Sequence, residues 1–240
     1  MNFFKAIGGL PWSARIGLLI LFCFAMCILF APWIAPYGES QIVGDVWEPI
    51  GGTFLFGTDQ IGRDLLSRLV YGARNTISLA LLTTALSFLF GSLMGFLAAT
   101  MRGWVDQVLS RFVDIIISIP TLIFALIVLS AVGTAIPVLV TVIGIVYAMP
   151  VYRIARAVAM DIEIMDYVEA ARLRGEGLWW IMWREILPNA LTPLAAEFGL
   201  RFCFVFLLIS GLSFLGLGSV SYTHLRAHET EADLVCRLLL

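Results

Sequence analysis

The chain has 240 residues, of which 60% are hydrophobic and 13% charged, and its mean hydropathy is +0.96. A soluble domain has roughly a quarter of its residues charged, so this composition excludes a soluble domain and indicates an integral membrane protein. The formal net charge of −2 argues against a nucleic-acid partner, which would call for a basic patch.

The first predicted element is a membrane helix. A charge-free run extends from Ile16 to Gly38, which is long enough to cross a hydrocarbon core of about 30 Å at about 1.5 Å per residue. A cleaved signal peptide is the alternative, but the run exceeds the usual apolar region of ~7 to 15 residues and ends in bulky Trp33 and Pro36. We therefore predict a retained first helix within residues 1–38.

Residues 39–74 are polar, with five acidic and three basic side chains, and predict an extracytoplasmic loop. Asp64 and Arg68 near its end are spaced for an i, i+4 ion pair. The same stretch has an apolar helix face made by Leu65, Leu66, Leu69 and Val70.

The second charge-free span runs from Asn75 to Met101. It contains Gly91 and Gly95, whose spacing lets helix backbones approach closely in lipid. We interpret this step as a packing device, for which a partner chain is a candidate surface. Residues 102–114 are polar and predict a short loop.

A charge-free run of 38 residues, from Ile115 to Tyr152, predicts two helices of about 19 residues. Gly133 to Pro137 is the expected reversal point between them. Pro120 and Pro150 predict kinks or helix ends, because proline removes a backbone donor.

The longest polar interruption between apolar segments runs from Asp166 to Pro188. Asp166 followed by Glu169 predicts a capping-box-like helix start. Gly175 predicts a helix stop, because the left-handed conformation is cheapest for glycine. A second amphipathic helix over 178–186 is predicted to end before Pro188. The product is a helix, a glycine turn and a second helix outside the bilayer.

This interruption resembles the cytoplasmic EAA loop of permease subunits of bacterial ATP-binding-cassette (ABC) importers. The resemblance rests on Glu169, Ala170, Ala171, Gly175, Ile186, Leu187 and Pro188. In that family the loop, here residues 161–188, is a coupling helix that docks into a groove on the ATPase subunit. The resemblance implies polar contacts with that groove from Glu169, close approach at the two alanines, and a turn set by Gly175. An interfacial helix without a partner is the alternative, since three tryptophans of the stretch would suit a headgroup layer.

Two further stretches resemble the C-type permeases of dipeptide, oligopeptide and nickel importers. They are GTDQIGRDLLSRLVYGARNTISLAL, which begins at Gly57, and LSFLGLG, which ends at Gly218. The resemblance covers roughly residues 10–218. It implies an all-α, polytopic transmembrane helical bundle like a type I ABC importer permease, with a permease core over residues 75–218. The apolar runs of this chain predict five spans.

The placement of arginines predicts the orientation. Residues 153–184 contain five arginines, and the turn at Gly133 contains none. The positive-inside rule then places residues 153–184 in the cytoplasm. It follows that the N-terminus is cytoplasmic and that residues 39–74 lie outside, in a multi-pass protein of the bacterial inner membrane.

Glu197 and Arg201 lie four residues apart in the last apolar stretch. Ionisable residues in a membrane helix are costly unless they are paired or face water, which makes these two a candidate functional site. We prefer a self-neutralising pair near the cytoplasmic interface over a substrate or gating role.

From residue 219 the chain departs from the family pattern, in which a further loop and a sixth membrane helix follow. Residues 219–240 have no apolar run of span length. His224 and His228 are spaced to share a metal, but no third ligand accompanies them, and the four cysteines lack CxxC spacing, so no metal site is predicted. The sequence predicts that this tail is non-native, as a sequencing or assembly artefact would be, and that the sixth helix is missing.

The chain has no GxxxxGK motif followed by Ser or Thr, so it should not bind or hydrolyse ATP by that route. An intramembrane enzyme is a further alternative, but HExxH, GxSxG and paired membrane aspartates are absent from the sequence, and we predict no enzyme and no bound cofactor. By resemblance, ATP and Mg are used by two separate ATPase subunits. A second permease subunit and an extracytoplasmic substrate-binding protein complete the implied importer of peptides, nickel or related small solutes. ATP-driven alternating access is the implied mechanism.

Two other functions are the alternatives. An ion- or proton-coupled secondary transporter would show several intramembrane charges and repeated halves, whereas here Glu197 and Arg201 alone qualify. A non-transporting membrane scaffold is the second.

Overall fold

The computed structural model describes residues 11–217, apart from the side chains of Ser13 and Cys27. The predictions about the tail from residue 219, including its two histidines, lie outside this range. Within the described range the regular structure is helical, and β-structure is limited to isolated bridges. The prediction of an all-α fold is confirmed.

The helices are α1 (Trp12–Ile34), α2 (Leu65–Met101), α3 (Gly103–Ile117), α4 (Thr121–Val132), α5 (Ile136–Glu163), α6 (Asp166–Leu173), α7 (Leu178–Ile181) and α8 (Leu187–Phe214), with a π-helical turn over Met182–Ile186 between the last two. Within residues 11–217, three helices are long and apolar enough to cross a membrane: α2, α5 and the continuous helix Leu178–Phe214. Two bent helix pairs, within α1 (55°) and between α3 and α4 (85°), bring the number to five if each pair is one span. This number agrees with the five predicted spans.

The chain divides into two compact units, one up to Leu79 and one from Ala80 onward. The first unit contains α1, the loop that follows it and the start of α2. Backbone angles become non-helical at Phe30, two residues before Pro32, which accounts for the bend of α1. Small alanines near the end of α1 then pack against the start of α2, in a cluster of Ala31, Ala35, Leu66, Val70 and Tyr71.

The loop of the first unit is organised around the buried carboxylate of Asp59. It accepts hydrogen bonds from the backbone N–H groups of Ile61 (2.8 Å) and Arg63 (2.9 Å). The guanidinium groups of Arg63 (2.9 Å) and Arg68 (2.6 Å) complete the shell. Burial alone would raise the pKa of Asp59, but the hydrogen bonds from Arg63 and Ile61 outweigh it and lower the pKa from 3.8 to about 2.

One prediction about this region is wrong. Asp64 does not pair with Arg68; it accepts a hydrogen bond from the backbone N–H of Ser67 at 2.8 Å and so caps the start of α2. Because of this cap, α2 begins at Leu65, well before Asn75. Arg68 pairs with Asp59, which is a longer-range partner than sequence spacing could indicate.

In the second unit, α2 and α5 approach each other most closely at two glycines. A β-carbon on Gly91 would lie 2.5 Å from the carbonyl oxygen of Ala148, and one on Gly95 would lie 2.8 Å from the backbone of Tyr152 and Arg156. Only glycine fits between these two backbones. The glycine step is therefore a packing device within this chain, and the surface against which it packs is α5.

The third span also differs from the prediction. Residues 102–114, predicted as a loop, lie almost entirely in the amphipathic helix α3. The helix ends at Ile117, and Pro120 precedes α4, which has 12 residues. A helix of that length extends about 18 Å, too short to cross the hydrocarbon core alone. The reversal at Gly133 is confirmed by its φ of 105°, whereas Pro150 lies inside α5 and does not end it.

Replacing Gly95 with alanine should destabilise the chain by about 1 to 3 kcal/mol, because backbone atoms of α5 cannot move aside without separating the helices. Gly199→Ala is the matched control, since Gly199 is also helical but has no atom within 4 Å of an added β-carbon. Thermal unfolding in detergent measures both. Equal midpoints for the two variants would refute the close packing.

The loop around Asp59 should lose stability in acid. Because the folded pKa of about 2 lies below the unfolded value of 3.8, ionised Asp59 stabilises the loop above about pH 4, and this contribution disappears as the pH falls toward 2. Asp59→Asn should lower amide protection in the loop by roughly 1 kcal/mol at neutral pH, allowing for solvent screening, and by less and less below pH 4. Hydrogen exchange followed by mass spectrometry tests this, with exposed Asp45→Asn as control. A loss that is independent of pH would contradict the assignment.

Candidate functional site

The EAA-like loop (residues 161–188) begins with the last residues of α5 and continues into the short helix α6. Its N-cap is Met165, which makes no side-chain cap hydrogen bond, so the predicted capping box is wrong. Asp166 and Glu169 instead lie in the first turn, where the positive end of the helix dipole favours acidic side chains. The start of the helix was thus predicted correctly, but from the wrong interaction.

Gly175 ends α6, as predicted. It has a φ of 82°, and its N–H donates to the carbonyl of Arg172 at 2.9 Å. The N–H of Glu176 donates to the carbonyl of Ala171 at 3.2 Å. This pair of bonds is a Schellman motif, which requires a left-handed residue after the helix.

The second helix of the loop does not end before Pro188. The chain continues from α7 through the π-helical turn Met182–Ile186 into α8, and Pro188 lies in the first turn of α8. Pro188 has no N–H to donate to the preceding turn, and the π-helical turn directly before it accommodates the proline. The wide π turn thus joins the EAA-like loop to a membrane helix without a break.

The EAA-like loop has one inward and one outward face. Its inward side chains belong to an apolar cluster with α2, α5 and α8, and they are Val168, Ala171, Ile181, Met182 and Ile186. Leu187 is half-buried against this cluster, and Pro188 is exposed. On the outward face, Glu169 and Ala170 are exposed, as is Leu173, whose side chain is 83% exposed.

The burial of Ala171 changes one interpretation. Ala171 has no exposed surface, so its small side chain allows close packing of α6 within this chain. Close approach by a partner was predicted for both alanines, but Ala170 alone is accessible for it.

Glu163, which sequence analysis did not select, connects the loop to the membrane helices. It is the last residue of α5, and its side chain is 0% exposed. Arg102, between α2 and α3, donates to Oε2 through Nε at 2.9 Å. Arg172 of α6 donates to Oε1. One buried carboxylate thus holds two arginines from different parts of the chain.

A ladder of polar contacts runs between α3 and the same end of α5. Arg156 donates to both carboxylate oxygens of Asp106, with Nη2 at 2.6 Å from Oδ2. The hydroxyl groups of Ser110 and Tyr152 lie 2.9 Å apart. Farther along α3, Arg153 pairs with Asp114 at 2.5 Å. These contacts, together with that of Glu163, fix α3 along α5.

The signal for this ladder was present in the sequence. Arg102, Asp106, Ser110 and Asp114 recur every four residues, which is the spacing of one helix face. Because residues 102–114 were predicted to be a loop, this helical spacing was not recognised. The partners on α5 could not have been inferred, because their distance in sequence is 39 to 61 residues.

The predicted pair of Glu197 and Arg201 is formed within α8. Arg201 donates to Glu197, and the two side chains are 18% and 12% exposed. The guanidinium group of Arg201 also lies 5.9 Å from the ring of Phe204. The pair is thus satisfied locally, without help from another helix in the part of the chain that the structure describes.

Residues 87–231 match the model of a protein family described as "Binding-protein-dependent transport system inner membrane component". This range extends into the segment that begins at residue 219.

Named relatives agree with the family match. The chain is 38% identical over 210 residues to the di/tripeptide transport system permease protein of Pseudomonas aeruginosa, covering 84% of this chain and 69% of that protein. It is 31% identical over 214 residues to the dipeptide transport system permease protein of Haemophilus influenzae, covering 86% and 72%. It is 28% identical over 206 residues to the glutathione transport system permease protein of Pectobacterium atrosepticum, covering 85% and 68%.

The helical membrane architecture and these matches lead to the same assignment. The relatives are transport permeases, and the family consists of inner membrane components. The chain belongs to the family of inner membrane components of binding-protein-dependent transport systems, and is a permease subunit of an ABC importer.

Proposed function

We propose that this permease subunit couples ATP hydrolysis in separate ATPase subunits to the import of short peptides, and that the outward face of α6 is the contact surface for the ATPase. The observation that carries the proposal is the exposure of Glu169, Ala170 and Leu173 on a helix whose other side is buried in the chain. A polar group and an apolar group side by side on a short, well-anchored helix suit a helix-in-groove interface.

The proposed substrate class follows from the relatives, whose names refer to di- and tripeptides, dipeptides and glutathione. Short peptides are the simplest cargo consistent with these names. Nickel, which the C-type resemblance also allows, is the second candidate, and metal uptake assays distinguish the two.

The proposed assembly has a second permease, two ATPase subunits and an extracytoplasmic substrate-binding protein. ATP and Mg are bound by the ATPase subunits, and this chain has no catalytic role. Closure of the ATPases would move α6, and the membrane helices attached to it would reorient a pathway formed with the second permease.

The proposed orientation places the N-terminus and the EAA-like loop in the cytoplasm. Support comes from the charged end of α5, where Arg153 and Arg156 lie on the same side as α6 and the other arginines of the loop. The positive-inside rule assigns that side to the cytoplasm. The opposite end of α5, around Gly133, carries no charge.

Glu169→Lys should reduce retention of the ATPase subunits by about tenfold or more, because a reversed charge in a protein groove typically costs a few kcal/mol. Co-purification from membranes that express the complete importer measures retention, and uptake of radiolabelled dialanine measures transport. Asp45→Lys is the matched control, because Asp45 is also exposed and acidic but lies in the loop of residues 39–74, outside the EAA-like loop. If Glu169→Lys retains the ATPase and transports as the wild type does, α6 is not the docking surface.

Reporter fusions test the orientation. Alkaline phosphatase, which is active outside the cytoplasm, should be active when fused after residue 50 and inactive when fused after residue 174. A green fluorescent reporter should give the opposite pattern. Activity of the phosphatase at residue 174 would reverse the proposed topology.

A further inference from the structure

We propose that Glu163 is a positioning residue for energy coupling: its buried carboxylate ties α6 to the junction of α2 and α3, so that a displacement of α6 moves the membrane helices with it. This inference rests on the proposed docking of an ATPase on α6. It adds the contact inside the permease that would carry the movement onward.

The local environment of Glu163 on its own helix is unfavourable. As the last residue of α5 it lies at the negative end of the helix dipole, where an acidic side chain is destabilising. Complete burial adds a desolvation penalty of several kcal/mol unless the charge is paired. Helix formation therefore does not explain why a glutamate lies at this position. The two arginine partners explain it, because they pair with the buried charge.

The two partners occupy different oxygens and different structural elements. Arg172 donates to Oε1 from α6, and Arg102 donates to Oε2 from the junction of α2 and α3. Arg102 has a φ of 47°, a left-handed conformation that is uncommon for a residue with a β-carbon. Glu163 thus binds the side chain of Arg102, and the backbone of Arg102 forms the turn between α2 and α3.

The contact with Arg172 adds a charged attachment to the ones that α6 already has. Ile164 and Met165 connect the start of α6 to α5, and Val168 and Ala171 pack it into the apolar cluster. Arg172 lies near the other end of α6, about 9 Å farther along at 1.5 Å per residue, and donates to Glu163 from there. A force on the outward face of α6 therefore acts through Glu163 on the end of α5 and on the junction at Arg102.

The side chain of Glu163 is the only charged group that shares these two partners among the ion pairs of residues 11–217. Glutamine has nearly the same volume but a single acceptor oxygen, and its amide nitrogen is a donor. Glu163→Gln can therefore keep one arginine contact and must lose the other. This substitution breaks the link with little change in packing.

The experiment uses the complete importer reconstituted in proteoliposomes, with its ATPase subunits, second permease and binding protein. Dialanine uptake and ATP hydrolysis are measured on the same preparation, normalised to the amount of assembled complex. For Glu163→Gln and for Arg172→Gln, we expect the ATPase subunits to remain bound and the uptake per ATP hydrolysed to fall at least about tenfold. The double variant should be no worse than Glu163→Gln alone, because both changes remove the same link.

Arg153→Gln is the matched control. Arg153 is also an arginine in an ion pair near the end of α5, but its partner Asp114 lies on α3 and not on α6. Uptake per ATP should be unchanged in this variant. Should Glu163→Gln fail to assemble, Arg172→Gln decides the matter alone, since its side chain is 46% exposed and its loss leaves no new cavity.

Three results would overturn the inference: unchanged uptake per ATP in Arg172→Gln, an equal loss in Arg153→Gln, or a loss of uptake fully explained by less assembled complex. Each differs from failure of the proposed docking. If docking is wrong, Glu169→Lys has no effect on ATPase retention; if only the role of Glu163 is wrong, Glu169→Lys still releases the ATPase.

Discussion

The packing of α5 against its neighbours is the interaction on which the second unit depends. The apolar part of α5 meets α2 at Gly91 and Gly95, where the two backbones are in direct contact. In lipid, no hydrophobic driving force brings helices together, so such close approach is a main source of association. Beyond Tyr152 the same helix also carries charges, and ion pairs with α3 are added to its van der Waals packing.

This change along one helix explains why the EAA-like loop is held as it is. The charged end of α5 is continuous with α6, whose inward side chains complete an apolar cluster with α2, α5 and α8. The loop is therefore an extension of the helical core and not a separate appendage. Its outward face leaves Glu169 and Leu173 exposed.

Sequence reasoning succeeded where a structure depends on neighbours in sequence. The glycine stop at Gly175 and the reversal at Gly133 follow from backbone preferences, and both are present. It failed where tertiary contacts decide. Asp64 and Arg68 had the spacing of an ion pair, but Asp64 caps α2 and Arg68 binds the buried Asp59. The helix end at Pro188 was wrong because a π turn accommodates the proline.

The candidate site shows the same division. Motif spacing identified Glu169 and Gly175, which act through their local helix, but it gave no reason to select Glu163. Nothing near Glu163 in sequence indicates two arginine partners, one of which is 61 residues away. Residues that join distant elements are in general the ones that a pattern within one helix cannot reveal.

The ion pairs of Glu197 and Glu163 differ in which parts of the chain they join. Glu197 is neutralised by Arg201 four residues away on the same helix, so the pair makes the charges tolerable in α8 without fixing α8 against anything else. Glu163 has no such local partner, and both of its oxygens are hydrogen-bonded only when α6 and the Arg102 junction are both in place. A displacement of either element would leave one oxygen of a buried carboxylate without its hydrogen bond, at a cost of about 1 to 3 kcal/mol. That cost is a physical reason for α6 and the Arg102 junction to move together. The pair of Glu197 and Arg201 has no such consequence, because both of its members lie on α8.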